Sequence, residues 1–424
     1  MTDPVRDLFD AKPEMARCPH LAYGPMRAEG KPRWIERVQA YALTRYDDIV
    51  EVLRAPEKFS SVMASGPGSV TPLARRLAAD TAADPELRAR AQRRVEISES
   101  VVLLNADPPL HSRQRKLVNR AFTARRVLAM EPSVRKLAED LLDAFVQDGK
   151  AEMVSQFSIL MPMTVIADIL GVPPELHSTF KRWSDAFVAG TGSMDLGDAA
   201  IAEMFRSVNE FYDYFTERIA ERRDNPTDDL LSAIISARID GETPLTQNEM
   251  LQMLVQFLVA GNETTTNLLT SVMFKLVTEP ELMAAVRADR ELVPKVIEEV
   301  LRLETPVQGL FRTANEDVEI GGVRIPKGAN LYLIYGSANR DEQAFREPDE
   351  LRMDRASESN HLAFGKGEHF CLGAPIARLE ARIGINTWLD RTKEIVLDAD
   401  PADIAYLPSF ALHGITRLPL RFTV

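Results

Sequence analysis

Two cysteines in 424 residues, Cys18 and Cys371, are too few and too far apart for a disulfide framework or a zinc-ligand spacing. A reducing cytoplasm is the expected compartment. The chain also lacks a surplus of positive charge. Its 51 Lys and Arg against 63 Asp and Glu leave a net charge of -12, which argues against the broad basic face that nucleic-acid binding needs. Long apolar runs are missing too. The densest, Leu251 to Ala260, is broken by glutamines and too short to span a bilayer, and the start Met1-Thr2-Asp3-Pro4 has no signal-peptide core. No membrane anchor is expected. No Pro/Gly/Ser-rich linker, charge block or internal repeat divides the chain, so residues 1–424 are read as one large domain.

What is present is mostly helical. The first hundred residues mix a strand at Tyr41-Ala42-Leu43 with a short amphipathic helix from Asp47 to Leu53. From Ser60 to Asn105 the pattern weakens into a long, charged, Ala-rich excursion with some helix and Pro85 inside it. Helix dominates from Pro109 to Val277. Its strongest stretch runs from Thr246 to Thr278, opened by a Thr246/Glu249 capping box and closed before Pro280. At 1.5 Å per residue it is about 48 Å long. A shorter helix covers Leu292 to Leu303. Val318-Glu319-Ile320 and Val323-Arg324-Ile325 flank Gly321-Gly322 as a hairpin, and Asn330 to Ile334 adds a strand. A helix follows from Gly373 to Leu389, and Ala411 to Val424 is strand-like. The fold class is mainly α with small β-sheets (α+β).

Three local features carry chemistry. In Phe364-Gly365-Lys366-Gly367-Glu368-His369-Phe370-Cys371-Leu372-Gly373, two glycines two apart allow a tight turn. Cys371 falls just before a helix, where unpaired N–H groups and the dipole favour a thiolate. By itself the loop suits a buried structural cysteine as well as a metal ligand. In the long helix, Ala260-Gly261-Asn262-Glu263-Thr264-Thr265 places a glycine mid-helix at a cost of about 1 kcal/mol. Close helix packing with back-bonded threonine hydroxyls is one account of it. From His111 to Arg126 the chain carries Arg113, Arg115, Lys116, Arg120, Arg125 and Arg126 with no acid between, a solvated face or a docking surface.

Position by position, the cysteine loop resembles the haem-binding loop of the cytochrome P450 family, and the match continues through Ala377-Arg378. Further motifs stand in the family's order. Glu299-Val300-Leu301-Arg302 resembles its Glu-x-x-Arg helix, with Arg355 as the natural third member holding the cysteine loop. Asp107-Pro108-Pro109-Leu110-His111-Ser112-Arg113-Gln114-Arg115 resembles the start of its proximal helix. The resemblance implies haem b (iron protoporphyrin IX) with Cys371 as the axial metal ligand in a loop built on Phe364 and Gly373. His111, Arg115, Arg312 and His369 would serve the propionates. Ala260 and Gly261 would leave room for O2, and Glu263 with Thr264 would be the acid–alcohol pair that relays protons. Val255, Leu258, Val259, Val307, Leu310 and Phe410 are implied as an apolar substrate pocket.

The function so implied is that of a cytoplasmic haem-thiolate monooxygenase of the soluble bacterial type. It would insert an oxygen atom from O2 into an apolar small molecule, with electrons from NAD(P)H through a separate ferredoxin and ferredoxin reductase. The basic run then reads as the ferredoxin face, and a monomer is expected. A peroxygenase is disfavoured by Glu263-Thr264. Oxidative coupling or desaturation on the same haem, and a non-catalytic haem sensor, stay open.

Overall fold

The strands Ala40–Leu43, Leu310–Ala314 and Asn330–Leu333 carry buried side chains on both faces. The computed structural model describes residues 3–66, 71–120, 122–189, 197–355 and 360–424. Two compact units emerge: Met1–Ser60, Ala124–Pro162 and Asn262–Val424 form the first, and Ser61–Thr123 with Met163–Gly261 the second.

In the first unit a five-stranded sheet runs in the order Arg33–Ile35, Ala40–Leu43, Asn330–Leu333, Leu310–Ala314, Phe59–Ser60. All pairings are antiparallel except Ala40–Leu43 with Asn330–Leu333. Successive side chains on a strand point to opposite faces. Accordingly Phe311 and Tyr332 join one apolar cluster with Phe9, Tyr23 and Ile35, while Leu331, Leu333 and Ala314 join another with Ile49, Leu53 and Leu362. Arg312 shares the second face with Leu310 and Ala314. Strands Lys150–Glu152, Pro419–Phe422 and Ile395–Leu397 make a second sheet, and Val318–Ile320 with Val323–Ile325 a hairpin whose Gly321 and Gly322 have φ of 53° and 74°.

Beneath these strands, helix Val293–Glu304 turns Val293, Val296, Ile297, Val300 and Leu301 inward at helical spacing. Helix Ala374–Arg391 approaches so closely that a Cβ on Gly384 would stand 3.0 Å from Leu269 and 3.1 Å from Met161.

The second unit is helical. Its core is an aromatic cluster joining His177–Ala189 to Asp198–Asp224, with Trp183 and Phe187 edge-on to Phe211. The excursion after Ser60 carries the helix expected in it. It forms helices Thr71–Ala79 and Pro85–Ser98. Pro85 starts the second rather than interrupting it, because Asp84 caps the amides of Glu86 and Leu87 at 3.0 Å.

Helix Gln247–Thr278 contributes its first half to the second unit and its second half to the first. The capping box forms: the Thr246 amide donates to Glu249 Oε2 at 2.8 Å, and the Glu249 amide to Thr246 Oγ1 at 3.2 Å. The C-terminal segment departs from expectation. Only Pro419–Phe422 is a strand, preceded by single bridges at Leu412 and Ile415. The Ser409 hydroxyl accepts from the Ala411 and Leu412 amides and bends the chain there.

Candidate active site

The cysteine loop owes its shape to two left-handed glycines. Gly365 and Gly367 have φ of 67° and 75°, which side-chain-bearing residues rarely adopt. A Cβ on Gly367 would also lie 2.6 Å from the Leu53 carbonyl oxygen. The turn closes when the Cys371 amide donates to the Phe364 carbonyl at 2.9 Å, leaving Cys371 half-buried just ahead of helix Ala374–Arg391. The two cysteines form no disulfide. Gly373 is not required by the protein itself, since a Cβ there would be 3.9 Å from Cys371 Sγ, ordinary contact.

Two neighbouring carboxylates of helix Val293–Glu304, Glu299 buried and Glu298 half-buried, hold chain segments on either side of this loop. Glu299 receives Arg302 through Nε and Nη2 at 2.8 and 3.0 Å, Arg355 Nε at 2.8 Å and the Arg352 amide at 2.8 Å. Arg302 spends its other donors on the carbonyls of Asn339, Pro348 and Glu350. Burial would raise the Glu299 carboxyl, but these hydrogen bonds outweigh it and hold it below the ordinary glutamate value. The residue before it was not singled out from sequence. Glu298 takes Arg378 side-on at 2.6 and 2.7 Å and His361 Nε2 at 3.1 Å. Despite burial, those partners bring Glu298 down to about 2. The ring nitrogen Nδ1 of His361 accepts from the Ala363 amide, and the Arg378 guanidinium lies 4.6 Å from the centre of the Phe364 ring. Glu298 thus reaches the residue whose carbonyl holds the Cys371 amide. Only the doubled glutamate could have hinted at it.

Arg312 is 3% exposed, yet its one side-chain hydrogen bond is from Nη1 to the Phe311 carbonyl at 2.7 Å. Among the described residues no carboxylate pairs with it. A buried guanidinium of this kind suits an anionic ligand group. His369 is half-buried, with Nε2 3.5 Å from Glu368 Oε1.

In the second unit, His111 and Arg115 lie one turn apart on helix Leu110–Asn119, His111 buried and Arg115 half-buried. Gln114 between them is fully buried and pins the helix, accepting from the Leu103 amide and donating to the Val101 carbonyl and Glu249. The basic run is less open than its sequence implies. Arg113 pairs with Glu249 and Lys116 with Glu242, acids supplied from far along the chain. Arg120 and Arg125 remain exposed.

On the long helix, the glycine is not there for close packing. A Cβ on Gly261 would meet only Ile166, at 3.9 Å, and the neighbouring Ala260 is exposed. Glu263 and Thr264 are half-buried in consecutive positions. Further along, Thr270 is back-bonded to the Thr266 carbonyl, and Thr266 donates across to the carbonyl of Ser158. Of the apolar candidates in the second unit, Val255 and Leu258 are buried and Val259 half-buried. In the first unit, Val307 bridges to Leu412, and Leu310 packs on the sheet face that carries Arg312. Phe410 does not join Leu310. Its ring packs with Phe9 and Tyr332 at 5.3 and 5.7 Å on the opposite face, a core contact.

Comparison with known proteins agrees over the whole chain. The family model described as Cytochrome P450 matches residues 35–413. Cytochrome P450 107B1 of Saccharopolyspora erythraea is 35% identical, covering 99% of each chain. The structure of CYP109Q5 from Chondromyces apiculatus superposes with a TM-score of 0.83 at 36% identity, over 98% of this chain and 97% of that one. CYP109E1 from Bacillus megaterium, solved in complex with corticosterone, gives 0.82 at 32% identity, over 97% and 100%.

Proposed function

This chain belongs to the cytochrome P450 family of haem b monooxygenases, and from that premise we propose that Cys371 is the axial ligand of the iron. The observation that carries the proposal is the Cys371 loop itself, turned by two left-handed glycines and closed on the Phe364 carbonyl, with the Phe364 ring braced by the Arg378–Glu298 pair. Such a scaffold holds a ligand atom in place without constraining it by a disulfide. Bound haem supplies the iron at which O2 is activated for insertion of one oxygen atom into substrate. The residues fit that group. Arg312 is a buried cation without a carboxylate, and Gly373 leaves the space beside the sulfur open. Arg312, His369, His111 and Arg115 are assigned to the propionates, and Phe364 to the loop wall.

Gly261 and Ala260 leave room on one side of the long helix, where O2 is expected. There the Glu263 carboxylate and Thr264 hydroxyl would hold and pass on protons, a hydroxyl beside an acid being able to order a short water chain. The substrate is an apolar small molecule meeting Val255, Leu258, Val259, Val307 and Leu310. The steroid in the related CYP109E1 complex is of that kind. Phe410 enters only as support behind these residues. Electrons come from NAD(P)H through a ferredoxin and its reductase in the cytoplasm, to a monomer whose residues 1–424 act as one domain. Among the described residues no helix is long and apolar enough to cross a membrane.

The Cys371→Ser variant tests the assignment. It is expected to lose the thiolate-type spectrum of the reduced carbon monoxide complex, and an unchanged spectrum would overturn it.

A further inference from the structure

One buried cation in the second unit has no counter-charge. Arg94, on helix Pro85–Ser98, is 8% exposed. Its Nη1 donates to Tyr212 Oη at 2.6 Å and to Gln252 Oε1 at 3.3 Å, and its guanidinium lies 5.6 Å from the centre of the Phe187 ring. Nε is buried with nothing to accept from it. Among the described residues no acceptor faces Nη2 and no carboxylate pairs with Arg94. The neighbours do not neutralise it. Arg93 takes Asp213, and burial, only partly offset by Arg94, raises the Tyr212 phenol so that it stays uncharged.

The unpaired edge is the informative one. Nε with Nη2 is the pair of donors by which Arg302 grips Glu299 and Arg378 grips Glu298, each in two parallel bonds. Arg94 holds the same fork ready, with its third nitrogen already fixed by Tyr212 and Gln252. A buried ion without a partner is costly to the fold, and a fixed, unpaired fork is what carboxylate recognition needs.

We propose that Arg94 receives a carboxylate of the substrate side-on, so that among molecules with an apolar body the enzyme prefers those that end in a carboxylate. This deepens the monooxygenase reading above and rests on it. Gln252, Val255 and Val259 stand at i, i+3 and i+7, one stripe of the long helix, so the apolar body has a surface to follow from Arg94. Gly261 is nine residues beyond Gln252, about 13 Å along the axis. The carbon that is oxidised is therefore remote from the carboxylate.

Octanoate, dodecanoate and hexadecanoate, each beside its 1-alkanol, test this with the haem-loaded protein at neutral pH. Binding is read from the haem spectral shift and separately from the rise in Tm. At one or more chain lengths the acid is expected to bind about ten-fold tighter than the alcohol, the scale of charge-assisted hydrogen bonds. Arg94→Gln should abolish that preference, bringing acid and alcohol to comparable affinity. Arg94→Lys, which keeps charge without the fork, should weaken it and serves if the glutamine variant does not fold. Acids binding no tighter than alcohols at every length, or a preference that survives both substitutions, overturns the proposal. Loss of the thiolate-type spectrum in the unaltered protein would instead sink the Cys371 reading, and the Tm arm would still report on Arg94.

Discussion

At the scale of single residues, Gly261 and Thr264 separate packing from chemistry. Gly261 has room for a methyl group, so Gly261→Ala should stabilise the long helix by roughly 0.5–1 kcal/mol. If its smallness serves O2, the same variant turns over more slowly although its Tm rises. A fall in both would return Gly261 to a packing role. Thr264→Ala is expected to leave NADH consumption running while product falls several-fold, read as product formed per NADH. Unchanged coupling would remove Thr264 from proton delivery. That this stretch is unusual was legible, because a mid-helix glycine beside threonines violates helix propensity; the roles proposed for it come from the family resemblance. That Gly261 is not a packing glycine was not legible, since it depends on Ile166, distant in sequence. Arg94 was equally hidden: an arginine among arginines on a charged helix gives no sign that it alone is buried and unpaired.

Helix Val293–Glu304 shows why one anchoring network could be read and the other could not. Glu299 and Arg302 are three apart, a spacing visible in any helix, and Arg355 followed from family order. Glu298 shares no face with Glu299, and its partners His361 and Arg378 lie far along the chain. Removing a partner from the buried Glu299–Arg302 pair leaves an uncompensated charge, so Glu299→Gln should cost roughly 3–5 kcal/mol in denaturant unfolding. Glu298 makes a prediction about pH. Its folded value, about 2, lies below the ordinary 4.5, so it contributes stability above the unfolded value. That contribution is lost as the pH falls from about 4.5 towards 2. Acid unfolding of Glu298→Gln should lack this part of the slope, and an identical pH profile would show that the carboxylate is not stabilised by Arg378 and His361.

For the molecule as a whole the net charge is -12, and the run of basic residues from Arg113 to Arg126 stands against it as a local patch. Glu242 and Glu249 already pair with Lys116 and Arg113, so if the run is the ferredoxin face proposed for it, Arg120 and Arg125 are the exposed charges that would act there. Reversing the charge of both should slow reduction by ferredoxin at low ionic strength and matter little at high salt. Reversal at Arg113 should instead destabilise the fold. Reduction rates indifferent to Arg120 and Arg125 would place docking elsewhere. The α+β class and the order of the motifs were legible in the chain. Helix in the excursion after Ser60 was expected, but not its bounds, nor that Pro85 opens a helix capped by Asp84. One contact bears on how such proteins can be engineered. With the Leu53 carbonyl directly against Gly367, the cysteine loop is keyed to the end of helix Tyr46–Leu53. A chimera that transplants residues 364–373 alone moves the key without its lock, so loop and helix end should be exchanged together.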